Sequence, residues 1–114
     1  MNYQIITTKN FEKEVKRLAK KFPSLKTDLE NLQEKLYENP FIGDPIGNKS
    51  FNIRFAVKSK GKGKRGGMRI ITHIELDFVM DDLSNVYLLT IYDKSETENI
   101  TNIELRRLLN SKDL

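Results

Sequence analysis

Between Phe11 and Leu36 the apolar side chains return every three or four residues, and from Phe51 onward they return every second residue. A helix repeats at about 3.6 residues and a strand at 2, so the chain must fold as a helical half followed by a sheet half. Phe11, Val15, Leu18, Ala19 and Phe22 make the first stripe, with Thr7 or Thr8 placed to cap it and lysines gathered in its last turns. Pro23 breaks that helix, Ser24 is the next capping candidate, and Leu25, Leu29, Leu32 and Leu36 run on to Asn39-Pro40. Residues 8–38 read as a helical hairpin. The leucine stripe is too short for a zipper and is packing.

Tyr3 to Thr7 is a short β-prone run, an opening strand. Residues 40–50 are loop by composition. Then Phe51, Ile53, Phe55 and Val57 point one way, and Asn52, Arg54, Ala56 and Lys58 the other. Met68, Ile70, Thr72, Ile74, Leu76 and Phe78 alternate with Arg69, Ile71, His73, Glu75 and Asp77 in a long strand. Residues 81–85 read as a turn, and Val86–Tyr92 is an apolar run suited to a central strand. Thr101 and Glu104 have capping-box spacing ahead of Leu105, Leu108 and Leu109, a short C-terminal helix. The order is β-α-α-β-β-β-α: a single α+β domain over 1–114, its helical hairpin laid on one face of an antiparallel meander. The face with Arg54, Lys58, Arg69 and His73 is expected to be left for solvent or a ligand.

Charge says what kind of ligand. The 114 residues carry 20 Lys/Arg and 16 Asp/Glu, a net +4, but residues 58–69 alone hold six cations and no acid. Such a concentrated positive field suits a polyanion. Lys58, Lys60, Lys62 and Lys64 alternate with Ser or Gly, so an extended segment would set them on one side, and with Arg65 they form a candidate phosphate-wrapping arm. A nucleotide P-loop does not fit, because Gly61 is followed by Gly66-Gly67 with no Lys-Ser/Thr, and a strand rather than a helix comes next. Arg54 and Arg69, on neighbouring strands, are placed to hold a phosphodiester.

The remaining residues bound the chemistry. The absence of cysteine removes a disulfide framework, a thiolate zinc site and a cysteine nucleophile, and one histidine cannot build a multi-histidine metal centre. His73 is a possible general base, but a strand residue filling a polar gap is the plainer reading. Tyr92 and Lys94 stand where the last strand leaves the sheet, and Tyr92 either stacks on a base or edges the core. Acids at 77, 81, 82, 93, 96 and 98 lie mostly in turns, whose chemistry explains them without a metal. No apolar run approaches the roughly 20 residues of a membrane span, and the start lacks a secretory signal, so a soluble intracellular protein is expected.

The run Lys62-Gly63-Lys64-Arg65-Gly66-Gly67-Met68-Arg69-Ile70-Ile71, with Val86 to Glu96, resembles the RelE/ParE toxin superfamily, and within it the HigB/RelE-type toxins. The hairpin ending in Phe22-Pro23 extends the resemblance over nearly the whole chain. It implies the cytoplasmic toxin of a bacterial type II toxin–antitoxin pair, neutralised by a small antitoxin, of helix-turn-helix type, encoded beside it. Many RelE- and HigB-type members cleave mRNA in the ribosomal A site, whereas ParE-type members poison gyrase; a nucleic-acid-binding domain without activity is the third reading. By the same resemblance Arg69 matches the arginine at the scissile phosphate, Lys94 the basic residue after the last strand, and Arg54 and Lys58 the cationic pair on the preceding strand. The C-terminal tyrosine of some members has no match, since Asn99, Ile100 and Thr101 occupy that region. Tyr92 is the candidate substitute, and Lys58 or Lys94 the candidate for proton transfer. No cofactor is implied.

Overall fold

The computed structural model describes residues 2–61, 67–76, 79, 82–97 and 99–112. Among these residues five strands and three α-helices follow the order β1 (Asn2–Thr7), α1 (Lys9–Ala19), α2 (Leu25–Glu38), β2 (Asp44–Gly47), β3 (Ser50–Phe55), β4 (Met68–Leu76), β5 (Leu83–Asp93) and α3 (Asn102–Ser111), with a 3-10 turn at Lys58–Lys60. The strands form one sheet in the order β1-β5-β4-β3-β2. β1 joins β5 in parallel, and the other pairs are antiparallel. The architecture is α+β.

Both helices of the hairpin start and stop for local reasons. Thr8, not Thr7, caps α1, its Oγ1 accepting the Phe11 N–H at 3.1 Å. Ser24 holds the cap position of α2 without capping through its side chain. Its hydroxyl instead donates to Asp28 at 2.7 Å and lies 2.9 Å from the Ser59 hydroxyl. The hairpin's apolar stripe packs on the sheet through Phe11, Leu18, Leu25, Leu32 and Leu36 against Ile53, Phe55, Met68, Ile70, Leu88 and Ile91. Truncating a fully buried leucine such as Leu18 would cost about 2–5 kcal/mol.

Three expectations need correction. Residues 44–47, read as loop, are edge strand β2, closed onto β3 by Asn48 and Lys49 with φ of 53° and 56°. That pair of positive angles is the two-residue hairpin turn whose twist suits antiparallel strands, and Pro45 is tolerated because the strand is an edge. Leu83 to Asn85, read as turn, open β5, whose central position buries both faces. Third, the face away from the hairpin is not left open. α3 lays Leu105, with Leu108 and Leu109, over Ile71, Tyr87, Leu89 and Tyr92. A bulge in β5 near Leu89 shifts its alternation, so Leu88 meets the hairpin, Leu89 meets α3, and Ile91 meets the hairpin again.

Candidate functional site

Strand register sets three of the candidate residues in one line. Arg54 on β3 pairs directly with Arg69 on β4, and Arg69 pairs directly with Tyr92 on β5. Directly opposed residues of antiparallel strands share a face, with Cα atoms about 4.5–5.5 Å apart. The row thus crosses three strands on the α3 side of the sheet. Arg69 is 6% and Tyr92 8% exposed, while the Arg54 side chain is 67% exposed, so the row runs from buried to open. Arg69 Nη1 donates to the Met68 carbonyl at 3.1 Å, and Arg54 Nε lies 3.9 Å from Asp44 on β2.

Tyr92 is anchored from β3 as well. Asn52, two residues before Arg54 on the same face, donates from Nδ2 to the Tyr92 hydroxyl oxygen at 3.3 Å. Period-two reading sets Asn52 on this face; its bond to Tyr92 depends on cross-strand register, which one strand's pattern does not contain.

The cationic segment divides. Residues 58–60 are a 3-10 turn, not an extended arm, so Lys58 and Lys60 do not share a side by alternation. The turn is pinned to the start of α2: the Lys58 N–H donates to Asp28 at 3.0 Å, and the Ser59 N–H donates to Ser24 at 2.9 Å. Lys60 is withdrawn from the phosphate-binding set. Its Nζ lies 2.7 Å from Asp93 Oδ1 and 5.1 Å from the Phe22 ring centroid, with only 10% of the side chain exposed. Lys58 is exposed, and Lys94 is exposed in the turn just past β5. Lys62, Lys64 and Arg65 lie outside the described residues, as do Asp77, Asp81 and Glu98.

The turn bearing Lys94 is fixed from two sides. Asp93 accepts from the Ser95 N–H at 3.0 Å and the Ser95 hydroxyl at 2.9 Å. Burial pushes the Asp93 carboxyl up, but the Lys60 ammonium and the Ser95 donors outweigh it and hold the group below its ordinary range. Glu96 accepts both Nη groups of Arg17 on α1, at 3.1 and 3.2 Å, and these bonds, with Glu14, raise the Arg17 pKa. Glu96 lies in the turn as expected, whereas Asp93 is the last residue of β5, and each ties the site to another element.

His73 is structural. Its Nδ1 lies 3.2 Å from the Ser50 hydroxyl and its Nε2 3.1 Å from Glu75, and it is 8% exposed. Both ring nitrogens are engaged within the sheet, so it is the polar gap-filler. Two clefts lie near this row, one lined by Tyr92 itself and the other by Asn52, which holds the Tyr92 hydroxyl. One, of about 340 Å³, is lined by Thr90, Tyr92, Thr97, Glu104 and Arg107 among others. The second, of about 200 Å³, lies between β2, β3 and the start of α3. Among the described residues no group of three His, Asp or Glu could hold a metal ion. No helix among them is long and apolar enough to cross a membrane.

No family model matches the sequence. Among solved structures the chain is similar to a mutant of the E. coli toxin RelE in the free state, at 15% identity and a TM-score of 0.56, covering 99% of this chain and 96% of that one. At that identity the likeness establishes a RelE-like fold.

Proposed function

We propose that the protein is the toxin of a bacterial type II toxin–antitoxin pair, and that it cuts mRNA on the ribosome without a metal. The observation that carries this reading is the row Arg54–Arg69–Tyr92, set at one level of the sheet by strand register. Its occurrence on a fold shared with a RelE toxin supports the same reading. Two guanidiniums directly opposite across a strand pair can both donate to one phosphodiester.

RNA supplies its own nucleophile. The 2′-hydroxyl oxygen attacks the adjacent phosphorus, the bond to the 5′-oxygen breaks, and a 2′,3′-cyclic phosphate is left. The protein must accept the 2′ proton, return one to the 5′-oxygen and neutralise the charge that grows on the phosphoryl oxygens. Arg69, held in a largely buried setting, is the preorganised cation for the last task. Tyr92 takes part in proton transfer on this reading, which its pairing opposite Arg69 and its bond from Asn52 support. Lys58 or Lys94, exposed beyond the ends of β3 and β5, is the first candidate for proton transfer, and Arg54 binds the phosphate from the open end. The partners on this reading are ribosome-bound mRNA and a cognate antitoxin, of helix-turn-helix type, encoded by the adjacent gene; the site of action is the cytoplasm.

Primer extension on cellular mRNA after induction tests the reading. Cuts in phase with codons are expected. Intact mRNA accompanied by a DNA-damage response would overturn it in favour of a gyrase target.

A further inference from the structure

The cleft of about 200 Å³ between β2, β3 and the start of α3 is lined by neutral side chains. Its polar groups are Asn52, Asn99, Thr101 and Asn102, its apolar walls are Ile46, Ile100 and Leu105, and none of these seven residues is charged. Thr101 is engaged in capping α3, where its Oγ1 accepts the Glu104 N–H at 3.1 Å. Asn99 and Asn102 are exposed at the mouth, and Leu105 is buried at the back. Asn52 joins this cleft to the row: its Nδ2 holds the Tyr92 hydroxyl, while its Oδ1 is buried with no hydrogen-bond partner. A buried acceptor left unsatisfied calls for an explanation, and a ligand N–H is one.

Distance and chemistry agree on the ligand. Asn52 and Arg54 lie two residues apart on one strand, about 6.8 Å, a span that one nucleotide bridges from phosphate to base. Side-chain amides carry a donor and an acceptor side by side and pair bidentately with adenine, whereas guanine is read by Arg or Lys and the cytosine amino group by Asp or Glu. Among the described residues its lining offers amides and no charge, which favours adenine. Ile46, Ile100 and Leu105 supply apolar surface for the faces of the ring.

We propose that the cleft formed by Asn52, Asn99 and Asn102 is a nucleobase subsite, selective for adenine, for the nucleotide whose phosphate lies on Arg54 and Arg69. The placement of that phosphate rests on the proposed function; the subsite itself does not.

The two are separated by titrating the full-length, isotope-labelled protein with adenosine, inorganic phosphate and the four nucleoside 5′-monophosphates, following side-chain amide and arginine Nε signals by NMR. Adenosine and AMP are expected to move the Asn52, Asn99 and Asn102 amides, and AMP to bind about tenfold more tightly than CMP or UMP, the low end of what one bidentate amide–base pair supplies. Inorganic phosphate is expected to move only the arginines. The double variant Asn99→Ala/Asn102→Ala, altered at two exposed positions, should lose the preference and keep the arginine response. Equal affinity for all four nucleotides, or a preference surviving the double variant, overturns the base subsite. Amides that respond to adenosine while the arginines ignore every phosphate-bearing probe uphold the subsite and overturn the phosphate site.

Discussion

At Asp93 one carboxylate serves three segments. It closes the turn that carries Lys94, accepts Lys60 from the 3-10 turn, and follows Tyr92 in the chain. Both partners of the ion pair are almost wholly buried, at 10% and 7% exposure, so removing one leaves the other charged in a dry setting. Asp93→Asn should therefore cost about 3 kcal/mol near neutral pH. The pH dependence has a definite sign. Because the folded carboxyl is held below its ordinary value of 3.8, its contribution is complete above that value and is lost as pH falls through the lower, folded one. Melting temperatures from pH 3 to 7 should show the gap between wild type and Asp93→Asn closing at the acid end. A gap constant over that range would remove the ion pair from the account.

At the level of elements, α3 is the cover on the site face and its start is held by the capping box. Thr101 accepts the Glu104 N–H at 3.1 Å and donates to the Glu104 carboxylate at 3.0 Å. Thr101→Ala should cost about 1 kcal/mol, which hydrogen exchange would report as faster α3 amides with β4 and β5 unchanged. Gly43 is the counterpart on the far edge. With φ of 102° and a Cβ that would sit 2.7 Å from the Asn52 carbonyl oxygen, it admits no side chain without moving β3. Gly43→Ala should cost about 1–3 kcal/mol and slow cleavage through the displaced Asn52. Thermal denaturation and single-turnover rates on that variant check both halves. Periodicity marked the helical hairpin, β3 and β4, and the Thr101–Glu104 spacing marked the capping box, because each is written in a stretch of neighbouring residues. It missed β2, whose pairing depends on a turn at Asn48-Lys49, and it left open a face that α3 covers. The Arg54–Arg69 pair was legible from alternation on two strands. That Tyr92 completes the row, that Asn52 holds it, and that Lys60 turns away to Asp93 depend on register and packing between distant segments.

For the whole molecule, a net +4 conceals a chain in which residues 58–69 carry six cations and no acid. Among the described residues two of these cations have distinct places: Lys60 is taken into an ion pair, and Arg69 is buried in the sheet beside Arg54 and Tyr92. Binding of single-stranded RNA should weaken as salt rises, and Arg54→Gln should flatten the log–log slope by about 0.7, the share of one phosphate contact. A slope unchanged in that variant would place the Arg54 side chain off the RNA. The row itself is tested most directly by single-turnover cleavage of ribosome-bound mRNA by wild type and Arg69→Ala, with circular dichroism and antitoxin binding confirming that the variant is folded. The rate constant should fall by at least about 10²–10³, the loss expected when a preorganised charge is removed from a developing oxyanion. A folded Arg69→Ala protein that cleaves at the wild-type rate would contradict the assignment of this row as the phosphodiester site.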